Sequence, residues 1–341
     1  MKKRLVLDFL TYTKLYKLFR PFYGGLGQII ALHRIIPKGP IPKYINEDIE
    51  LSPEELESSI RFFRDHGYTP VSLNEVYDIL TGKRNINKFV AFTVDDGYVD
   101  TYNYAYPIFN KYDIPFAINL TTDMPDGRII MWWYFLEDLL LKNDRISFVM
   151  NNEEVMFKCS SPLEKYHVSN KLRAYILDSD AESYKRKLQE LFEPYVTNQY
   201  DLTNKLAVSW EMIKKMSHDP KVTIASHTVS HRPFYRLSPE KIRWEITKSI
   251  EIIEQQISKK VEHFSYPFGQ MNKTAKEIVK ELGLKTATTS RFYNVFKEHR
   301  DHLHCLPRVF KLELMPKVKY LGVTTSGAYA ALRDRFKRII K

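Results

Sequence analysis

The sequence predicts an α/β protein built around a parallel sheet, and two observations carry this prediction. Short apolar segments alternate with amphipathic segments along most of the 341 residues, a pattern typical of strand–helix units. Two polar groups, Asp95-Asp96 and His227 with His231, each directly follow an apolar segment. Because functional side chains gather at the carboxyl ends of strands in parallel α/β barrels, these observations favour a (β/α) barrel.

The elements are predicted from apolar runs, caps and breakers. Ser52 and Glu55 match a helix capping box, Pro53 suits the first helical position, and Gly67 ends that helix. Pro107 interrupts a later helical pattern. The predicted strands cover residues 28–33, 68–72, 89–94, 115–120, 222–225, 263–266, 286–289 and 305–309. The predicted helices begin near residues 52, 73, 101, 239 and 273.

The alternation changes between residues 123 and 209, which we interpret as an insertion that caps the barrel. Residues 146–150 and 155–158 form a predicted hairpin, and three helical stretches surround it. The predicted organisation therefore has three parts. They are a basic amphipathic segment at 1–27, a barrel at 28–312 with the insertion at about 123–209, and a basic helical segment at 313–341.

The net charge of +11 is concentrated at the two ends of the chain, where apolar residues lie between the basic ones. Such ends suit either an anionic membrane surface or two solvated helices packed on the body. Nucleic-acid binding is not expected, because no motif for it accompanies the charge. Cys159 and Cys305 form neither a disulfide framework nor a cysteine zinc site, which favours a cytoplasmic protein, with peripheral attachment to the inner membrane face as an alternative.

The polar groups at the strand ends favour metal-assisted hydrolysis. One Asp and two His suit a borderline-soft divalent metal, and the adjacent carboxylate is then free to accept a proton. Taken alone, Asp-Asp-Gly would be an ordinary turn, and the histidines would be unrelated polar residues. Their joint occurrence after apolar strands favours the metal site. Zinc is the default metal, and cobalt, nickel, manganese or iron also fit.

Three segments resemble the motifs of NodB-type polysaccharide deacetylases. They are Thr-Val-Asp-Asp-Gly at 93–97, His-Thr-Val-Ser-His at 227–231 and Phe-Ser-Tyr-Pro-Phe-Gly at 264–269. The resemblance implies a distorted barrel of the NodB-homology type and a metal that polarises an N-acetyl carbonyl. It also implies that Asp96, His227 and His231 bind this metal and that Asp95 is the general base. The backbone N–H of Phe268, after Pro267, is implied to stabilise the oxyanion.

Two departures from the family pattern lead to further predictions. The third motif offers Ser265 where the family commonly has an Arg, so Arg308 is the candidate to orient the base carboxylate. The final motif is commonly Leu-x-His and supplies the general acid; His304 is the candidate here, with His302 as the alternative. Both histidines could equally be ordinary loop residues.

Further residues are candidates for substrate contact. Tyr266 belongs to the third motif, His33 ends the first predicted strand, and Trp132 opens the insertion, where an indole could stack on a sugar. A structural role is the alternative for His33 and Trp132.

The resulting functional hypothesis is a metal-dependent deacetylase. Its substrate would be an N-acetylated or N-formylated sugar, in a nucleotide- or lipid-linked precursor of a surface polysaccharide. Two alternatives use the same residues: hydrolysis of a non-sugar amide, and a non-catalytic scaffold that binds a glycan or lipid carrier.

Overall fold

The computed structural model describes residues 2–39, 45–151, 153–180, 183–195, 198, 200–309 and 318–339. Its strands are β1 (Gly27–Leu32), β2 (Arg34–Ile35), β3 (Glu50–Leu51), β4 (Thr69–Pro70), β5 (Phe89–Asp96), β6 (Phe116–Leu120), β7 (Arg145–Met150), β8 (Glu153–Lys158), β9 (Val222–Ser226), β10 (His263–Ser265) and β11 (Thr286–Thr288). The predicted boundary at 312/313 lies outside the described residues.

Helices cover the sheet and build the insertion. They are α1 (Lys2–Thr13), α2 (Arg20–Tyr23), α3 (Pro53–Asp65), α4 (Leu73–Leu80), α5 (Tyr106–Lys111), α6 (Trp132–Lys142), α7 (Pro162–Leu177), α8 (Ser183–Phe192), α9 (Asp201–Leu206), α10 (Trp210–Ser217), α11 (Pro239–Ile257), α12 (Lys273–Glu281), α13 (Leu321–Thr325) and α14 (Ala328–Ile339). The capping box of Ser52 and Glu55 is present at the start of α3. A π-helical turn over Thr101–Ala105 precedes Pro107, where the sequence predicted an interruption.

The main sheet is entirely parallel and curled. Its strand order is β1-β5-β6-β9-β10-β11, and β4 pairs with the start of β5. A short segment bridges the first and last strands, because Leu306 pairs with Thr288 of β11 and Val309 pairs with Ile30 of β1. The predicted α/β class and distorted barrel are confirmed. The bridging segment also carries Arg308 towards the inside of the curl.

The insertion between β6 and β9 has an apolar core of its own. Helices α6, α7 and α8 pack on the β7–β8 hairpin around residues such as Trp132, Phe148 and Leu172, each less than 4% exposed. The hairpin is tighter than predicted, because β8 begins at Glu153 and Asn151 adopts a left-handed conformation at the turn. The predicted domain bounds stay a prediction.

A buried histidine at the amino end of β10 should make the stability of the protein depend on pH. His263 is fully buried, its Nδ1 lies 2.8 Å from Thr286 Oγ1, and burial lowers its pKa to about 4. An unfolded histidine has a pKa of about 6.5. Because the folded-state pKa is the lower one, the contribution of His263 is fully present above pH 6.5 and is lost as the pH falls towards 4. This loss approaches about 3 kcal/mol at the lower limit.

Urea unfolding of metal-free protein at several pH values between 4 and 7 measures this contribution. We expect His263→Gln to flatten the fall in unfolding free energy below pH 6.5. His167→Gln on the exposed face of α7 is the matched control and should leave the slope unchanged. An identical slope for His263→Gln and the wild-type protein would contradict the assignment.

Candidate active site

The paired carboxylates lie at the carboxyl end of β5, as the sequence predicted. Asp95 is buried, and its neighbour across the sheet is Asn119 of β6. Asp96 has a left-handed φ of 75°, which turns the chain immediately after the strand. Gly97 follows with a φ of 108°, and a Cβ there would meet the Leu120 side chain at 2.7 Å. The turn therefore requires glycine, and it places two consecutive carboxylates at the same end of the sheet.

Asp96, His227 and His231 converge on one point. Asp96 Oδ1 lies 3.3 Å from His231 Nε2 and 3.6 Å from His227 Nε2. The three prospective ligand atoms all lie within 4.8 Å of one another. Asp96 Oδ1 is buried and has no hydrogen-bond partner in the described part of the chain. An unpartnered buried oxygen facing two imidazole nitrogens fits a divalent cation.

The protonation states suit a metal as well. Burial lowers the pKa of both His227 and His231 to about 4, so both rings are neutral at neutral pH and their short contacts to Asp96 are not ion pairs. His227 Nδ1 lies 2.7 Å from the Ser265 carbonyl oxygen, to which it donates, and this leaves the Nε2 lone pair facing Asp96. Burial raises the pKa of Asp96, a cost that a bound cation would remove.

Asp95 is held by Arg308 in a bidentate ion pair. The guanidinium nitrogens Nη1 and Nη2 lie 2.7 and 2.8 Å from the two carboxylate oxygens, and Asn119 donates to Oδ1 at 2.6 Å. Arg308 also donates to Thr93 Oγ1 and to the Thr289 carbonyl. Burial opposes ionisation of Asp95, but the Arg308 guanidinium outweighs it and holds the pKa of Asp95 well below its usual range. The carboxylate is therefore ionised and fixed in orientation.

The carboxylate of Glu245, which belongs to no sequence motif, supports the loop of residues 227–231, which we call the histidine loop. Glu245 of α11 is 1% exposed and accepts hydrogen bonds from the backbone N–H groups of Val229 and Ser230 and from the Ser230 hydroxyl. The loop needs this support because Thr228 and His231 both adopt left-handed φ angles. An acidic residue at an inward position of an amphipathic helix was the signal available in the sequence.

These groups line a cavity of about 440 Å³ that the insertion helps to enclose. The barrel contributes His33, Arg308 and Phe268, whose ring packs 4.7 Å from that of His231. The insertion contributes residues that were not predicted from the sequence, among them Arg173 and Tyr184. Trp132 also lines the cavity, but its indole N–H donates to the Tyr184 hydroxyl and its ring belongs to the insertion core.

The structure does not bring Tyr266 to the cavity, which corrects its predicted contact with substrate. The side chain is fully buried against Phe234 and Phe264, and its hydroxyl donates to the His304 carbonyl oxygen. Two other groups of this motif face the site. They are the Ser265 carbonyl, which is hydrogen-bonded to His227, and Phe268.

The structure also moves the candidate general acid away from the site. His304 Nε2 lies 2.7 Å from the Leu284 carbonyl oxygen, just before the amino end of β11, and His302 is exposed. The reason is chain direction. Leu306 enters the sheet parallel to β11, so residues before it lie at the amino end, opposite Asp95 and Asp96. Neither histidine lines the cavity.

Comparison with known proteins shows what this chain is similar to. A family model described as polysaccharide deacetylase matches residues 153–287, which include the second and third motifs. The putative polysaccharide deacetylase YxkH of Bacillus subtilis is 34% identical over 71 residues, which are 20% of this chain and 25% of that protein. The match thus spans about a quarter of the length of this relative.

Solved structures share the fold over most of the chain. IcaB of Ammonifex degensii superposes with a TM-score of 0.56 at 17% identity, covering 89% of this chain and 98% of that one. The deacetylase PplD of Streptococcus pyogenes, solved with acetate, gives 0.54 at 19% identity and covers 83% and 90%. The family model, the curated relative and the shared fold confirm the resemblance to NodB-type polysaccharide deacetylases that the motifs predicted.

Proposed function

We propose that this protein removes an N-acetyl or N-formyl group from a sugar by metal-dependent hydrolysis. The sugar would belong to a nucleotide- or lipid-linked precursor of a surface polysaccharide, met in the cytoplasm or at the inner membrane face. One observation carries the proposal: the Asp96, His227 and His231 cluster shares a cavity with the Asp95 carboxylate that Arg308 orients. The match to the polysaccharide deacetylase family model and the similarity to the deacetylase PplD, solved with acetate, support the reaction class.

We assign the roles of the residues on the basis of their geometry. Asp96, His227 and His231 would hold a divalent ion, with zinc as the default, and when bound this ion supplies Lewis-acid activation of water and of the acyl carbonyl. Asp95 accepts the proton of the attacking water, because it is ionised and its orientation is fixed. The N–H of Phe268 is proposed to donate to the developing oxyanion. The carbonyl carbon gains the water oxygen, its bond to nitrogen breaks, and the amine leaves with a proton.

We propose His33 as the donor of that proton. It lines the cavity near both Asp95 and Asp96 and acts electrostatically on each of them, whereas His304 lies at the opposite end of the sheet. Within the described chain it is the one cavity-lining histidine outside the proposed metal ligands. His33 directly follows β1, so it lies at the carboxyl end of a strand, as Asp95 and Asp96 do.

His33→Gln should lower kcat by about 10²- to 10⁴-fold, the usual contribution of a general acid, while the metal content stays at the wild-type level. Steady-state kinetics and elemental analysis of the same preparation check this. The effect should shrink for a substrate whose leaving group needs no proton, such as an activated ester. Unchanged kcat for the amide, or an equal loss for both substrates, would contradict the role of His33 as acid.

The reaction itself is tested by following free amine and acetate or formate release from purified full-length protein. Metal-free protein reloaded with zinc, cobalt, nickel, manganese or iron would be offered N-acetylated nucleotide sugars, lipid-linked sugars, short oligosaccharides and simple aryl amides. We expect release from an N-acylated sugar with at least one metal. Release from the aryl amides alone would favour a general amidohydrolase. Failure to retain any metal and to release amine would favour a non-catalytic glycan-binding scaffold.

A further inference from the structure

Residues 5–25 present an exposed apolar surface, which we call the N-terminal surface. Leu5, Phe9 and Tyr12 of α1 are 63%, 58% and 75% exposed, and Leu18 and Phe22 farther along are 69% and 76% exposed. Eight of the eighteen large hydrophobic side chains that are exposed in the described chain lie between Leu5 and Tyr23. Such a concentration marks an interaction surface, because isolated exposed hydrophobic residues are normally scattered.

This surface does not arise from a loosely attached helix. The opposite face of α1 is anchored, since Leu7 and Leu10 are buried in the main core. Asp8 accepts from the ammonium group of Lys319 at 2.6 Å and from the hydroxyl of Tyr320 at 2.7 Å. The helix therefore has two apolar faces, one packed on the body and one turned outward. The prediction of a helix packed on the body describes only the first of them.

Basic residues lie among the outward apolar ones. Lys14 and Lys17 are exposed between Tyr12 and Leu18, and the sequence places Lys2, Lys3 and Arg4 in the first turn of α1. Over residues 1–25 there are six Lys and Arg and one Asp, a difference of +5. That Asp is Asp8, which Lys319 already neutralises. Apolar side chains interleaved with uncompensated positive charge are complementary to an anionic lipid surface.

We propose that the N-terminal surface docks the protein on an anionic lipid bilayer. The outward side chains would enter the headgroup region, while the lysines contact lipid phosphates. A second copy of the chain is the less suitable occupant, because a symmetric interface through this face would bring two sets of basic residues together. No helix within the described residues is long and apolar enough to span a membrane. The proposal is independent of the chemistry in the cavity.

Vesicle co-sedimentation with the full-length protein tests the proposal. Phosphatidylcholine vesicles containing about 30 mol % phosphatidylglycerol should retain the protein, and pure phosphatidylcholine vesicles should retain much less. Adding about 0.5 M NaCl should release most of it, because salt screens surface charge. Equal binding to both vesicle types, or none to either, would overturn the proposal.

Double variants test whether binding depends on the N-terminal surface itself or on the overall hydrophobicity and charge of the protein. Each basic residue near an anionic surface contributes on the order of a fivefold gain in partitioning, so Lys14→Gln with Lys17→Gln should weaken binding about 25-fold. Leu18→Ser with Phe22→Ser should weaken binding to both vesicle types. The controls are Leu163→Ser with Tyr166→Ser, and Lys273→Gln with Lys280→Gln. These four residues are also exposed, lie outside the N-terminal surface and should leave binding within about twofold of wild type.

The mass of the protein in solution tests the alternative that a second copy of the chain covers the N-terminal surface. We expect the wild-type protein and the Leu18→Ser, Phe22→Ser variant to have the same mass by light scattering without lipid. A wild-type dimer that this variant dissociates, together with no vesicle binding, would assign the surface to self-association and overturn the membrane proposal.

Discussion

Replacing Asp95 by Asn should lower kcat by about 10²- to 10⁴-fold while the bound metal is retained. The amide cannot accept the proton of the attacking water. The substitution leaves the three proposed metal ligands in place, because Asp95 bonds to Arg308 and Asn119 and is not one of them. Single-turnover and steady-state rates, with elemental analysis on the same sample, provide the measurement.

This experiment needs a control for stability, because Asp95→Asn leaves the buried Arg308 guanidinium without its carboxylate. Breaking a buried pair by removing one partner typically costs about 3–5 kcal/mol. Asp100→Asn is the matched control, since Asp100 forms a comparable buried ion pair with Arg34 at 2.6 Å and does not line the cavity. We expect the control to be destabilised but active. Loss of metal in Asp95→Asn would show that base and ligand have been exchanged.

Removing a proposed metal ligand, by Asp96→Ala or His231→Ala, should abolish metal binding and activity together. Loss of a residue that only orients a ligand typically lowers metal affinity by about 10- to 100-fold. Loss of a ligand itself should therefore lower the affinity by more than this. Titration of metal-free protein with zinc by calorimetry measures the affinity, and the deacetylation assay follows the activity.

His304→Ala is the matched control for the ligand variants. It removes an imidazole that the sequence pattern associated with catalysis but that the structure places at the amino end of β11. Metal affinity and kcat should both stay near the wild-type values. Full metal occupancy in His231→Ala, or a large loss of kcat in His304→Ala, would contradict the site described above.

The sequence predicted local structure well because its signals are local. The Ser52 and Glu55 capping box, the helix at residues 73–80 and the strand ending in Asp95 and Asp96 depend on neighbouring residues alone. The hairpin of the insertion was also predicted, although its turn is shorter than expected. The contact between Arg308 and Asp95 was predicted from the resemblance, because the third motif has Ser265 where the family commonly has an Arg that orients the base.

Other features depended on which way a side chain points in the folded sheet. Tyr266 and Phe268 are two residues apart in one motif, yet Phe268 lines the cavity and Tyr266 is buried in the core. The left-handed φ of 56° at Phe268 redirects the chain between them, and the local pattern does not predict it. Asn119 and Glu245 were missed because their partners, Asp95 and the histidine loop, lie on other elements.

Residue types, locally spaced motifs and their resemblance to a known family were enough to predict the fold class and to name the proposed base and the three proposed metal ligands. Folding in three dimensions was needed for the arginine geometry, the enclosure by the insertion, the candidate acid and the second apolar face of α1. Each of these depends on register, chain direction or packing between residues far apart in the chain. His304 shows the difference: its residue type suits a proton donor, but the parallel entry of Leu306 into the sheet places it at the opposite end.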